Sequence, residues 1–377
     1  MYRDEHLIFR DSFRKFLARE IAPHLGRWER DGLIPREVWE KMGASGFLCP
    51  WLPEEHGGSG GDFLHSVIVA EELAKAGAIC MMAPLHSDVV APYIFDLGTA
   101  EQKSRWLPGC ASGKIILAIG MSEPDAGSDL AALKTRAERD GDAYVINGAK
   151  TFISNGIQAD LVIVACRTDR NARGSRGISL IAVERDAPGF KRGRKLEKMG
   201  LHAADTAELF FEDCRVPATN LLGVESGGFR HMMEHLQQER LVSAVMAQAM
   251  AEAMLDMTIA YTRERKAFGK PVCAFQHNAF RIVDMATEVR LGRTFLDRLT
   301  GRHVAGEDVV TDVSMAKAWI AEMANRVAYQ CVQLHGGYGY MEEYPICRFS
   351  RDVRPVSIFA GTTEIMKLIA ARNLGLL

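Results

Sequence analysis

Two stretches contain residue types that suit the binding of a phosphorylated or aromatic ligand. The stretch from Met121 to Asp129 combines hydroxyls with backbone N–H groups, which suit flavin or phosphate oxygens. In the stretch Phe152–Gly156, an aromatic ring that could face a ring system stands two residues before the hydroxyl of Ser154. Each stretch also has a simpler interpretation: a plain turn for the first, and a strand ending in a type I′ turn for the second.

The C-terminal half offers a second set of candidates. Arg265 could neutralise a pyrophosphate through bidentate hydrogen bonds, or it could belong to a charged helix end that stops at Gly269. Gly336 and Gly337 follow a helical run, where glycine lets a ligand approach the backbone closely. A helix C-cap alone would also explain Gly336.

The pair Glu239-Arg240 places two charges in a largely apolar helical stretch, between Leu236 and Leu241. Charged groups are costly to bury unless they are paired. These two side chains therefore lie either at a solvated helix edge or in a functional site, and the pattern alone leaves both interpretations open.

The elements that would position these residues change in type along the chain. Helical spacing of apolar residues dominates the N-terminal part, whereas Asp140-Gly141 predicts a hairpin in the middle part. Short apolar runs predict strands of a barrel or sandwich at residues 161–165, 178–183 and 207–211. Further helices are predicted at residues 229–264, 275–302, 309–334 and 363–373. The prediction is an α+β chain with an α-helical domain at residues 1–117, a β-domain at 118–225 and a helical bundle at 226–377.

Composition and charge exclude several classes of protein. The chain has 46 basic and 48 acidic residues and a net charge of −2, so no global field would attract nucleic acid or an anionic membrane. No apolar run reaches the roughly 18 to 20 residues of a membrane helix, so no membrane insertion is expected. Eight cysteines lack metal-site spacing, which predicts reduced thiols and no metal. No signal core stands at the N-terminus, so we expect a bacterial cytoplasmic protein, although a mature mitochondrial matrix chain would look identical.

Six stretches, taken in order, resemble the acyl-CoA dehydrogenase family over essentially the whole chain. They are Met121 to Asp129, Lys150 to Gly156, Lys195 to Gly200, Arg265 to Gly269, Gln333 to Gly339 and Phe359 to Ile365. The resemblance implies an α-helical N-terminal domain, a central β-barrel domain and a C-terminal four-helix bundle. It also implies a homotetramer in which each subunit holds one FAD between β-domain and bundle, and a neighbouring subunit completes the site.

The resemblance further implies a role for individual residues. Those along the flavin would be Met121, Ser122, Gly127, Ser128, Phe152, Ile153 and Ser154, with Ser154 near flavin N5. Those that contact the adenosine and pyrophosphate of FAD across the subunit interface would be Arg265, Phe268, Gln276, Gln333, Gly336 and Gly337. Thr362 and Glu364 would also contact FAD. Substrate would be bound by Ser128, Gln237, Arg240 and Gly361, with Arg240 as a phosphate partner.

Position 360 departs from the commoner family pattern. Many members have the catalytic glutamate immediately before the Gly-Thr motif, where this chain has Ala360. A second branch, which includes the isovaleryl- and long-chain enzymes, has its base on the long helix immediately before an arginine, and Glu239 before Arg240 matches that pattern. The resemblance therefore implies that Glu239 removes the α-proton while the backbone N–H of Ala360 polarises the thioester carbonyl. The β-hydrogen would leave as hydride to flavin N5, forming a trans-2-enoyl-CoA.

Partners and rival functions follow from the same resemblance. The substrate would be a fatty acyl-CoA, long-chain or branched, and an electron-transfer flavoprotein would accept the electrons. An acyl-CoA oxidase-like enzyme is one alternative, although such chains are usually much longer. A catalytically silent structural partner is another, motivated by the alanine at position 360. Asp125 stands where the family more often has glycine, and it could disturb the loop or nearby CoA contacts.

Overall fold

The N-terminal part of the protein is helical, as its apolar spacing predicts. The computed structural model describes residues 1–172 and 174–377. The first six helices are α1 (Asp4–Phe16), α2 (Ala22–Asp31), α3 (Arg36–Ala44), α4 (Phe63–Lys75), α5 (Ala91–Leu97) and α6 (Ala100–Ala111). At the start of α6, the Thr99 hydroxyl accepts a hydrogen bond from the Gln102 N–H at 3.2 Å, and the Gln102 side chain accepts one from the Thr99 N–H at 2.8 Å. This reciprocal cap satisfies two N–H groups that would otherwise lack partners.

Asp62 connects the first and fourth helices. Its Oδ1 accepts a hydrogen bond from the Leu64 N–H at 3.0 Å, which caps α4, and lies 3.0 Å from Nε2 of the buried His6 in α1. His65 Nδ1 is also 3.0 Å from Asp62 Oδ1. The ligand atoms of these three residues lie within 4.8 Å of one another. Three such groups could hold a metal ion, but here all three also cap helices. The expectation that the protein has no metal site stays a prediction.

The central part is one eight-stranded sheet. Its strands are β1 (Leu117–Gly120), β2 (Arg136–Asp140), β3 (Ala143–Ser154), β4 (Leu161–Arg167), β5 (Ile178–Glu184), β6 (Phe190–Lys195), β7 (Thr206–Pro217) and β8 (Leu221–Leu222). The order is β6-β7-β3-β2-β4-β5-β8, and β1 adds to β4 in parallel. The predicted hairpin joins β2 to β3, with Asp140 opposite Ala143. Among the described residues, β6 and β8 at the ends of this order do not pair with each other.

The C-terminal part is a bundle of four main helices. Its elements are α7 (Gly228–Glu264), β9 (Lys266–Ala267), β10 (Lys270–Pro271), α8 (Gln276–Val304), α9 (Val310–His335), α10 (Pro345–Asp352) and α11 (Thr363–Asn373). Each of the four predicted helices begins and ends within two residues of its observed bounds. None of the helices in the described ranges has both the length and the apolar character needed to cross a membrane.

The buried apolar side chains of the described residues form three cores. One joins the N-terminal helices to the bundle and includes Leu73 and Met250. The second joins the N-terminal helices to the sheet and includes Tyr93 and Leu117. The third lies within the sheet, where Tyr144 is fully buried. The first half of α7 lies where the helical cores and the sheet meet, and this position sets the surroundings of Glu239.

Candidate active site

Glu239 occupies an enclosed position on α7. Although part of the residue reaches solvent, its Oε2 atom is buried and has no hydrogen-bond partner among the described residues. Burial raises the pKa of this carboxyl above its usual range, and the positive charges of Arg240 and Lys317 partly oppose that shift. An unpaired buried carboxylate oxygen argues against the solvated-edge interpretation, because ordinary structural carboxylates are hydrogen-bonded when buried.

Two more buried polar groups without partners are electrostatically coupled to Glu239, and they belong to Arg240 and Tyr93. Arg240 is 6% exposed, and its Nε has no partner among the described residues. The hydroxyl of Tyr93, on α5, is also buried without a partner, and its ring stacks on that of His235 at 4.2 Å. The charge of Glu239 contributes to the raised pKa of Tyr93, after burial. Unmade hydrogen bonds concentrated in one place are typical of a site that receives a ligand.

The turn at residues 359–361 is held by a buried lysine. Lys317, on α9, is 1% exposed, and its Nζ donates to the Phe359 carbonyl at 2.8 Å and to the Gly361 carbonyl. Between these carbonyls, Ala360 has φ +53°, a left-handed conformation that is unfavourable for alanine. Burial, followed by the charge of Arg240, lowers the pKa of Lys317 to about 8. Lys317 is thus hydrogen-bonded to the turn, and its charge also acts on the Glu239 carboxyl without a direct bond.

The loop that begins at Met121 is anchored by a buried ion pair. Lys150 Nζ, on β3, lies 2.9 Å from Glu123 Oε1 and donates to the Met121 carbonyl at 3.1 Å. The Glu123 carboxylate also accepts hydrogen bonds from the Lys134 N–H at 2.6 Å and the Thr135 N–H at 2.9 Å. The cation and these N–H groups outweigh burial and lower the pKa of Glu123. The loop is therefore a fixed structure.

The tip of this loop faces outward. Gly127 and Ser128 are exposed, and Ser122 is half-buried. Asp125 forms an exposed ion pair with Lys134 at 2.8 Å. The aspartate thus lies at the surface of the loop, and its effect on the loop or on nearby CoA contacts stays a prediction.

A bulge in β3 displays Phe152. The register of β3 against β7 shifts between Lys150 and Ile153, and Phe152 has φ +61° and is 71% exposed. Ile153 points into the sheet core, so only its backbone is available to a cofactor, while Ser154 is half-buried at the strand end. Asn155 then has φ +61°, but Gly156 does not have a positive φ, so the type I′ turn, which needs two such residues in succession, is not formed.

A cavity of about 810 Å³ lies where α7 ends. It brings together four predicted cofactor-binding residues, Arg265, Gln333, Gly336 and Gly337. The Arg265 guanidinium lies 5.4 Å from the centre of the Tyr338 ring. A side chain added at either glycine would meet nothing within 4 Å, so these positions leave room for a ligand.

The remaining predicted residues lie on or near the surface. Phe268 is 96% exposed at φ +51°, and Gln276 is exposed at the start of α8. Thr362 caps α11 by accepting a hydrogen bond from the Ile365 N–H at 3.3 Å. Glu364, in the first turn of α11, is exposed.

The structure separates the predicted residues into two regions. Glu239 lies in the first half of α7 and Arg265 just after its C-terminal end, about 39 Å apart at 1.5 Å per residue. Glu239 and the cavity therefore belong to distant parts of the chain, with Phe152 exposed on the sheet.

The Gln237 side chain forms its hydrogen bonds away from Glu239. Its Nε2 lies 3.0 Å from His303 Nδ1, and its Oε1 accepts a hydrogen bond from the Val309 N–H at 2.9 Å. Side chains two positions apart on a helix point in different directions. Gln237 thus fastens α7 to the α8–α9 connection, and its predicted contact with substrate stays a prediction.

Sequence reasoning missed Tyr93 and Lys317. A signal for Lys317 was present, because it is a single cation among Ala316, Ala318 and Ile320 on a predicted helix. Tyr93 offered none, since a tyrosine in an apolar stretch usually belongs to a core.

Comparison with known proteins assigns the family. The models of the acyl-CoA dehydrogenase N-terminal, middle and C-terminal domains match residues 3–114, 118–214 and 226–375. The mitochondrial long-chain specific acyl-CoA dehydrogenase of Mus musculus is 47% identical over 375 residues, which cover 99% of this chain and 87% of the mouse protein. The mitochondrial isovaleryl-CoA dehydrogenase of Pongo abelii is 37% identical over 98% of this chain and 88% of its own.

A solved structure agrees with this assignment. The crystal structure of acyl-CoA dehydrogenase from Geobacillus kaustophilus superposes with a TM-score of 0.98 at 58% identity, covering 99% of this chain and 98% of that one. The chain therefore belongs to the acyl-CoA dehydrogenase family, whose members are FAD-dependent flavoproteins that dehydrogenate acyl-CoA thioesters.

Proposed function

We propose that this protein converts a long-chain or branched fatty acyl-CoA to its trans-2-enoyl-CoA, with Glu239 as the base. The observation that carries the proposal is the buried, unpartnered Oε2 of Glu239, whose pKa burial raises. The similarity to a long-chain specific and an isovaleryl-CoA enzyme supports the substrate class.

The residues of this chain divide the chemistry between them. The α-hydrogen of a thioester is weakly acidic, so the carbonyl must be polarised as the proton leaves. The N–H of Ala360, in the turn held by Lys317, would donate to that carbonyl. Glu239 would take the α-proton, since a desolvated carboxylate is a stronger base than one in water. Arg240 would orient the substrate, as a partner for the CoA phosphates.

The exposed groups fit FAD. Phe152 and the half-buried Ser122 and Ser154 would lie along the ring system, and the exposed Gly127 and Ser128 would complete that loop. Bound FAD supplies the acceptor for the β-hydride. The cavity with Arg265, Gln333, Gly336 and Gly337 offers a cation and open backbone suited to a pyrophosphate. Phe268, Gln276, Thr362 and Glu364 would add contacts.

We also propose a homotetramer that passes electrons to an electron-transfer flavoprotein. The separation of about 39 Å between Glu239 and Arg265 supports sites shared between subunits. Exposed aromatic side chains near the cavity, Phe268, Phe280 and Tyr329, would be covered by a second subunit. Light scattering should then give four times 41.7 kDa.

Anaerobic titration of the yellow holoenzyme with acyl-CoAs of increasing length and branching tests the function. We expect rapid bleaching by one class of acyl-CoA, lost in Glu239→Gln while flavin stays bound. The matched control is Glu234→Gln, because Glu234 lies on the same helix with its side chain 57% exposed. Bleaching that survives Glu239→Gln would mean that the base lies elsewhere.

The same titration, followed by the admission of air, distinguishes the two alternatives. Failure of every acyl-CoA to bleach the flavin would favour a silent structural partner. Rapid reoxidation of the reduced enzyme by air, with hydrogen peroxide formed, would identify an oxidase-like enzyme.

A further inference from the structure

Lys317 bonds to the peptide group that would activate the substrate. A peptide unit joins the carbonyl of one residue to the N–H of the next, and its electrons are shared across the C–N bond. The Phe359 carbonyl therefore belongs to the same peptide unit as the N–H of Ala360. Lys317 Nζ donates to this carbonyl at 2.8 Å, and also to the Gly361 carbonyl on the far side of Ala360.

A cation on the carbonyl oxygen changes what the N–H can do. Hydrogen bonding at one end of a peptide unit polarises it and strengthens the bond at the other end, and low dielectric surroundings increase the effect. Lys317 is 1% exposed, so water screens its charge little. The bond to Phe359 should therefore make the Ala360 N–H a stronger donor.

The two bonds of Lys317 also restrain the turn. Ala360 has φ +53° and Gly361 has φ +91°, both in the left-handed region. Because alanine adopts this region unwillingly, the turn needs an outside restraint to aim its N–H in one direction. A cation that is bonded to the carbonyls on both sides of Ala360 supplies that restraint.

The charges around Lys317 connect it to the base. Arg240 and Glu239 face it from α7, Glu322 from its own helix and Glu364 from α11. In turn, the charges of Arg240 and Lys317 both favour the carboxylate form of Glu239. Loss of the lysine charge should therefore favour the protonated carboxyl.

We propose that Lys317 is a positioning residue that fixes and polarises the Phe359–Ala360 peptide, so that its N–H activates the thioester carbonyl. This inference rests on the proposed function. The variants are Lys317→Met, which removes charge and donors, Lys317→Gln, which keeps a neutral donor, and Lys317→Arg, which keeps the charge. The exposed Lys367→Met on α11 is the control.

The direct readout is the infrared carbonyl band of a trans-2-enoyl-CoA with a ¹³C-labelled carbonyl, bound to each holoenzyme. We expect the wild-type protein and Lys367→Met to lower this frequency relative to the free ligand. Lys317→Met and Lys317→Gln should abolish most of that shift, and Lys317→Arg should keep part of it. The band is measured on bound ligand only, so misfolded protein does not contribute.

Kinetics provide a second readout. We expect kcat to fall by at least about tenfold in Lys317→Met with little change in KM, since loss of one preorganised donor costs on the order of a hundredfold or more. The acid limb of the pH profile should move to higher pH in Lys317→Met and stay in place in Lys317→Arg. Both effects would be absent if the lysine served only stability.

The outcomes separate this inference from the function on which it rests. A wild-type frequency shift that persists unchanged in Lys317→Met and Lys317→Gln would overturn the role of Lys317 and leave the function intact. No shift in the wild-type protein would contradict thioester activation at this turn, and so the proposed function itself.

Discussion

Replacement of Lys150 by methionine should destabilise the protein in a pH-dependent way. The substitution keeps the length of the side chain and removes the ammonium that lies 2.9 Å from Glu123 Oε1. The Glu123 carboxylate then keeps only its two backbone donors, the N–H groups of Lys134 and Thr135. Removal of one partner from a buried ion pair typically costs about 3–5 kcal/mol of unfolding free energy.

Protonation of Glu123 limits this cost. The carboxyl has an ordinary pKa of 4.5. If the variant folds with Glu123 protonated, the protonation costs about 3.4 kcal/mol at pH 7 and only about 0.7 kcal/mol at pH 5. In the wild-type protein the pKa of Glu123 is lowered, so its stabilising contribution persists above 4.5 and is lost as the pH falls through the lower, folded-state value. We therefore expect Lys150→Met to lower the unfolding free energy by about 3 kcal/mol at pH 7 and by much less at pH 5.

Thermal unfolding followed by circular dichroism measures this effect. An unfolding entropy of about 2.1 cal/mol/K per residue converts 3 kcal/mol into about 4 °C of Tm if the whole chain unfolds together, and more if the sheet unfolds alone. Lys191→Met is the control, because its ion pair with Glu212 lies exposed on the same sheet and should contribute little. An unchanged Tm at pH 7, or an equal loss at both pH values, would refute the reasoning.

Two further substitutions and one pH profile test other parts of the protein. Phe152→Ala should weaken FAD binding about two- to tenfold, measured by flavin fluorescence, while the Tm of the apoprotein stays unchanged, because the ring is exposed. Burial raises the pKa of Glu239, and a base must be deprotonated to act. We therefore expect kcat/KM to fall with decreasing pH at a pKa above the ordinary value of 4.5. An acid limb of the pH profile at or below 4.5 would contradict this. Burial raises the pKa of Asp352 to about 6, so its folded form loses stability as the pH rises through that value. Asp352→Asn should therefore raise the Tm at pH 7.5 and not at pH 4, and an equal change at both would exclude this cause.

Local patterns predicted the helices and several strands well. Helical periodicity located α7 to within one residue at its start, and Asp140-Gly141 identified the β2–β3 hairpin. Both signals depend on neighbouring residues alone. The resemblance to a family likewise depended on short motifs, and it led to Glu239 because the following Arg240 completes a two-residue pattern.

Features that depend on distant contacts were not predictable. The parallel pairing of β1 with β4 joins segments more than 40 residues apart. Whether Lys317 or Gln237 faces Glu239 depends on the rotation of α9 and α7 against each other, and the sequence does not specify it. Tyr93 lies beside Glu239 only because α5 packs against the start of α7.

The continuous helix α9 restricts how this family of sequences can change. It carries Lys317 at one end and Gln333 at the other, about 24 Å apart at 1.5 Å per residue. One inserted residue between them would turn one end by about 100° relative to the other and move it 1.5 Å along the axis. Substitutions in this stretch leave that spacing unchanged, but an insertion or deletion would displace one of the two residues relative to the other. The roles proposed for Lys317 and Gln333 therefore require a fixed spacing as well as fixed identities.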